Sequence, residues 1–116
     1  VLDYLKPKYR LHIITNGFQE IQDKKLKNAN IYGYFEQIVN SEMAGVKKPN
    51  PIIFELALER AKTSRTRSIM IGDSLEADIQ GAQSVGLHVL HFNPDNAPKH
   101  DFCDMIHNLS EIKSYL

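Results

Sequence analysis

The 116-residue sequence contains a single cysteine, Cys103. No internal disulfide can form, and a reducing, cytoplasmic setting fits best. As a lone thiol, Cys103 reads as a small hydrophobe near a strand rather than as a nucleophile. The chain also lacks net charge: 14 Lys and Arg balance 14 Asp and Glu. Without an excess of one sign there is no electrostatic case for a nucleic-acid or membrane-surface partner. No apolar run approaches the length of a membrane span. The opening, "VLDYLKPKYR", lacks the apolar core of a signal peptide and reads as the tail of a preceding helix and a loop, residues 1–10. What is present is a hydrophobic fraction of 42%, enough for the core of one compact domain.

From residue 11 onward, short apolar runs alternate with amphipathic stretches. "LHIIT" (11–15), "EQIVNS" (36–41), "SIMIG" (68–72) and "LHVLHF" (87–92) read as strands, with "DMIHNL" (104–109) as a short edge strand. "FQEIQDKKLKNAN" (18–30) is an exposed helix with Phe18, Ile21 and Leu26 as its inward candidates. The segment 42–50 reads as a loop. Asn50 and Pro51 then suit the cap and first position of a helix whose Ile52, Ile53, Leu56, Ala57 and Ala61 recur at helical spacing. Ser74 can cap a helix with Leu75, Ile79, Ala82 and Val85 on one face, stopped by Gly86. Residues 93–100 form a loop in which Asp95 is a turn former. Ser110 caps a terminal helix. Strand–helix alternation with buried strands implies an α/β fold with a mainly parallel sheet. In such sheets ligands sit beyond the carboxyl ends of the strands. Thr15-Asn16-Gly17, Ser41-Glu42 and Gly72-Asp73-Ser74 should therefore converge on one edge.

These strand ends carry the residues able to do chemistry. Thr15 with the Asn16 and Gly17 amides can form an anion site at a helix start, although an ordinary strand-to-helix turn uses the same residues. Lys48, stiffened by Pro49, can be aimed at a phosphate, whereas Lys47 reads as solvated. Asp73, at a strand end, suits direct ligation of Mg²⁺, which needs only a couple of carboxylates. Asp78 can support that metal through water or fix Lys48, or simply sit favourably near a helix N-terminus. Glu76 reads as an exposed helix residue. The five histidines have no metal-ligand spacing: His12 and His88 fall within strands, while His91 and His100 fall near a strand end and its loop.

The runs "IITNGF", "GVKKPNPIIFELAL" and "IMIGDSLEADIQGAQSVGLHVLHFN" together resemble the haloacid dehalogenase-like hydrolase superfamily, in the family's order and over nearly the whole chain from residue 11. The "ITNGF" run is most similar to the noncanonical pyrimidine nucleotidase branch. The resemblance implies a Rossmann-like, three-layer core and a Mg²⁺-dependent phosphoaspartate mechanism acting on a small phosphorylated metabolite, such as a nucleotide. Thr15 and the Asn16 backbone would hold phosphoryl oxygens, with Gly17 in the same turn. Lys48 would stabilise charge, Asp73 would bind Mg²⁺ and Asp78 would support it. The family's nucleophile, in an Asp-x-Asp pattern after a central first strand, has no counterpart here: Asp3, Asp23, Asp101 and Asp104 do not fit. That strand and the substrate-selecting cap would precede Val1, so residues 11–116 read as the C-terminal part of a core domain. The chain is then a piece of a longer protein, a split or truncated product, or a fragment that exchanges strands with a second copy. A non-catalytic remnant that binds phosphate or a partner is the alternative function. A haloacid dehalogenase fits less well, because the Asp73–Asp78 pair suggests a metal. A signalling receiver domain fails on the order of its acidic residues.

Overall fold

The computed structural model describes residues 1–94 and 103–116. Asp95, His100, Asp101 and most of the loop expected over 93–100 lie outside these residues. The chain begins with α1 (Leu2–Leu5) and continues through β1 (Leu11–Thr15), α2 (Gln19–Asn28), β2 (Phe35–Asn40), α3 (Ser41–Ala44) and α4 (Pro51–Ala61). After β3 (Ile69–Gly72) come a wide π-type turn (Leu75–Gln80), α5 (Gly81–Ser84), β4 (His88–Phe92), β5 (Met105–Ile106) and a 3-10 turn, Leu109–Ser114.

Every strand pair is parallel, as the α/β reading requires. Among the described residues the strands form two sheets rather than one, β1–β2 and β3–β4–β5. Alternation along the strands sorts side chains onto two faces. Met70 and its partner Val89 join one core with Val39, Ile53, Phe54, Ala57 and Ala82, which brings α4 and α5 onto that face. Ile71 and its partner Leu90 join the other, with Leu5, Ile106 and Ile112 from α1, β5 and the C-terminal turn. Helical layers thus lie on both faces of the strands, the three-layer arrangement of the sequence reading.

Several local expectations are corrected. Phe18 and Ile21 were candidates for the inward face of α2, yet they are 63% and 50% exposed. That helix packs mainly on the Tyr32–Tyr34 turn rather than on a sheet. Ile52 is exposed, while Phe54 is fully buried on the face of α4 that meets β1 and β2. Part of the loop expected at 42–50 is helical: the Asn40 side chain accepts from the Met43 amide and starts α3. Asn108 rather than Ser110 caps the last turn, accepting from the Ser110 amide. Ile69 is exposed, and among the described residues one edge of β3 has no neighbouring strand. Asn50 does cap α4, accepting from the Ile52 amide, with Pro51 at the first position.

Candidate active site at the carboxyl edge of the strands

Thr15, Ser41 and Gly72 end or follow three parallel strands, and their neighbours meet at one edge. Asn16 leaves β1 and grips the loop before α4. Its Oδ1 accepts from the Lys48 amide at 2.8 Å, and its Nδ2 donates to the Lys48 carbonyl at 3.4 Å. Ser41 Oγ donates to the Asn16 carbonyl, tying the end of β2 into the same cluster. A reciprocal amide–backbone pair of this kind fixes the Lys48 backbone, so the lysine side chain starts from a set position.

The Lys48 ammonium then bridges the two sheets. Nζ donates to the Ile14 carbonyl at 3.1 Å and to Asp78 Oδ1 at 2.5 Å. The pair is largely withdrawn from water, with side-chain exposures of 12% and 7%. Asp78 reaches back toward β3 because the segment after Ser74 winds as a π-type turn, a form that often marks functional sites. The Asp78 amide donates to the Ser74 carbonyl, and Asp78 Oδ2 accepts from the Ser74 amide. Gly72 makes this possible, since a Cβ there would collide with the Asp78 carboxylate. Ser74 Oγ accepts from the Ala77 amide, giving the cap expected from sequence. The continuous helix expected beyond it is instead this wide turn followed by α5.

Thr15 Oγ1 accepts from the Gly17 amide at 3.0 Å. This is a side-chain-closed turn, and it leaves the hydroxyl hydrogen of Thr15 for an anion while engaging the Gly17 donor. Asp73 is exposed at the tip of β3, and its carboxylate has no hydrogen-bond partner among the described residues. Glu76 and Lys47 are exposed, as read from sequence. His91 is buried, and its Nε2 lies 2.9 Å from the Asp73 carbonyl. Of the remaining histidines, His88 is exposed and His12 is half-buried. Cys103 is half-buried, and burial pushes its thiol pKa up, which opposes a nucleophilic role.

The donor set can be tested against Mg²⁺. Among the described residues no three His, Cys, Asp or Glu side chains cluster to cage a metal. Mg²⁺ needs no such cage, binding through one or two carboxylates and several waters. Asp73 fits as one direct ligand. Asp78 has both oxygens engaged, with Lys48 and the Ser74 amide. The edge thus combines one free carboxylate, one oriented ammonium and one hydroxyl, a set suited to holding a phosphate and a divalent cation together. Sequence reasoning missed the Asn16 side chain, the Ile14 carbonyl and His91 as supports. Only the lysine loop's position in space links them.

Residues 1–92 match the haloacid dehalogenase-like hydrolase family. The chain is 39% identical over 94 residues to the pyrimidine 5'-nucleotidase YjjG of Escherichia coli, covering 80% of this chain and 42% of that protein. It is 40% identical over 84 residues to a glyceraldehyde 3-phosphate phosphatase of Pyrococcus abyssi, covering 72% of this chain and 35% of that one. The structure superimposes on magnesium-bound YfnB of Bacillus subtilis with a TM-score of 0.90 and 33% identity, covering 98% of this chain and 51% of YfnB. The chain therefore spans less than half of these curated relatives and about half of that solved structure.

Proposed function

The chain belongs to the haloacid dehalogenase-like hydrolase family, and we propose that it carries the phosphate- and metal-binding half of a Mg²⁺-dependent phosphomonoester hydrolase. The observation that carries this reading is Lys48. A largely buried ammonium is held by Asp78 and the Ile14 carbonyl at the edge where Thr15 ends β1 and Asp73 follows β3. In this role Thr15 donates its hydroxyl hydrogen to a phosphoryl oxygen. Asn16 holds the Lys48 loop, and Lys48 offsets the negative charge that builds up during transfer. Asp73 would hold Mg²⁺, and Asp78 would keep Lys48 aimed while facing the metal through water. When bound, the ion polarises a phosphoryl oxygen and neutralises part of the phosphate charge.

The nucleophile is proposed to be an aspartate outside these 116 residues. Its carboxylate oxygen bonds to phosphorus, the ester P–O bond breaks, and the alcohol leaves with a proton from a second acid. Water then cleaves the acyl phosphate, releasing phosphate and restoring the carboxylate. The names of the relatives support a small phosphorylated metabolite as substrate, with a nucleoside monophosphate as the leading choice. A non-catalytic phosphate-binding role is the second reading. It is favoured by Asp73 being the one free carboxylate seen at this edge among the described residues.

The test uses the chain extended ahead of Val1 by an apolar strand ending in Asp-x-Asp and by a cap. Phosphate release from nucleoside monophosphates should require Mg²⁺. In that protein Lys48→Ala should lower kcat by on the order of 100-fold or more. Undiminished turnover by Lys48→Ala, or turnover indifferent to Mg²⁺, would contradict the reading.

A further inference from the structure

We propose that His91 is a positioning residue for the metal site: together with Asp78 it grips the peptide group between Asp73 and Ser74 and so aims the Asp73 carboxylate. The inference rests on the reading of Asp73 as the direct Mg²⁺ ligand. Asp73 is exposed just past the end of β3, and its carboxylate bonds to nothing among the described residues. Its aim is therefore set by the backbone that carries it. That backbone is held at one peptide group, from both ends. The Asp73 carbonyl lies 2.9 Å from His91 Nε2. The Ser74 amide donates to Asp78 Oδ2 at 3.2 Å. A peptide group is planar and stiff, so holding its oxygen and its N–H together fixes its plane. That plane sets ψ of Asp73, while β3 holds the chain on the other side.

The contact itself assigns the tautomer. A carbonyl oxygen only accepts, so His91 Nε2 carries the hydrogen. The ring can hold this donor in place because its own backbone is secured on both sides. In β4 His91 pairs with Gly72 of β3 and with Met105 of β5, and its amide donates to the Asp104 carbonyl at 3.0 Å. His91 is only 3% exposed, so water competes little for the bond. The second grip leads on to the phosphate side, because Asp78 Oδ1 accepts from Lys48 Nζ at 2.5 Å. One connected path thus runs from His91 through the Asp73–Ser74 peptide and the Asp78 carboxylate to the Lys48 ammonium. Supports placed behind a metal ligand commonly change metal affinity by about 10- to 100-fold when removed.

The experiment uses the chain extended ahead of Val1 by the Asp-x-Asp strand and cap. It is titrated with Mn²⁺ alone, read by the electron paramagnetic resonance signal of the free ion. His91→Leu removes the donor and leaves an apolar side chain, and His91→Phe is a second donorless variant. His91→Gln keeps an N–H close to the place of Nε2. The donorless variants should bind Mn²⁺ about 10-fold more weakly, and their Ser74 amide should exchange faster by NMR. His91→Gln should restore most of both. Unchanged Mn²⁺ affinity or unchanged Ser74 exchange in the donorless variants overturns the inference. So does an equal loss in His91→Gln, which would mark an effect of packing alone. Asp73→Asn separates this failure from failure of the hydrolase reading. If Asp73→Asn binds Mn²⁺ as tightly as the parent, the metal reading of Asp73 falls and the inference with it. If Asp73→Asn loses Mn²⁺ and His91→Leu does not, the inference alone falls.

Discussion

Lys48 and Asp78 join the two sheets at a point where neither residue is well hydrated. Removing one charge strands the other. Lys48→Met should therefore lower unfolding free energy by about 3–5 kcal/mol, measured by urea denaturation. Replacing both residues with apolar ones should cost less than the sum of the single changes, because neither charge is left unpaired. His12 gives a pH signature. Burial is the main cause that lowers its pKa, with Arg10 adding to it and Glu36 opposing it. Its folded pKa lies below the unfolded value, so the unfolded chain takes up the proton first as pH falls. The His12 contribution to stability is complete above the unfolded pKa of about 6.5. It is lost as pH drops from there through the lower folded value. His12→Gln should flatten that acid-side slope in melting curves. The roles of Thr15, Lys48, Asp73 and Asp78 toward phosphate and metal are proposals, but the pairing of Asp78 with Lys48 was legible as one of the sequence readings. The Asn16 clamp on Lys48 was not, because it joins residues 32 positions apart through a loop.

Strands were the most legible elements, since apolar runs such as "LHIIT" and "HVLHF" have few other uses in so short a chain. Helix faces were less so. α2 carries Phe18 and Ile21 where a packed helix would hide them, but it lies at the rim and leaves them exposed. Periodicity reports which face is apolar, whereas tertiary contacts decide whether anything covers it. The π-type turn after β3 was invisible for a related reason: it goes with contacts of Asp78 to Lys48 and the Ser74 amide that periodicity does not report. Ser74 starts that turn from its side chain. Ser74→Ala should cost about 1 kcal/mol in thermal or urea melts, and it should speed hydrogen exchange at the Ala77 amide.

At the scale of the whole molecule, β1 and β3, from two different sheets of parallel strands, line one cavity, and Lys48 links the end of β1 to Asp78 beyond β3. Among the described residues β1 and β3 each have one edge without a neighbouring strand. The layers on both faces were equally legible, because alternation in "IMIG" and "HVLHF" sends neighbouring side chains to opposite cores. Substrate choice was not legible, since the roles proposed for the residues at this edge concern phosphate and metal rather than the rest of a substrate. The central claim is that these residues hold the phosphate and the cation but not the nucleophile. It is tested most directly by Mg²⁺-dependent phosphate release from a nucleoside monophosphate, using the 116-residue chain of verified mass beside the chain extended by an Asp-x-Asp strand and cap. The account predicts no release above buffer from the first and turnover from the second. Turnover by the 116-residue chain alone, or none by the folded extended chain, would contradict it.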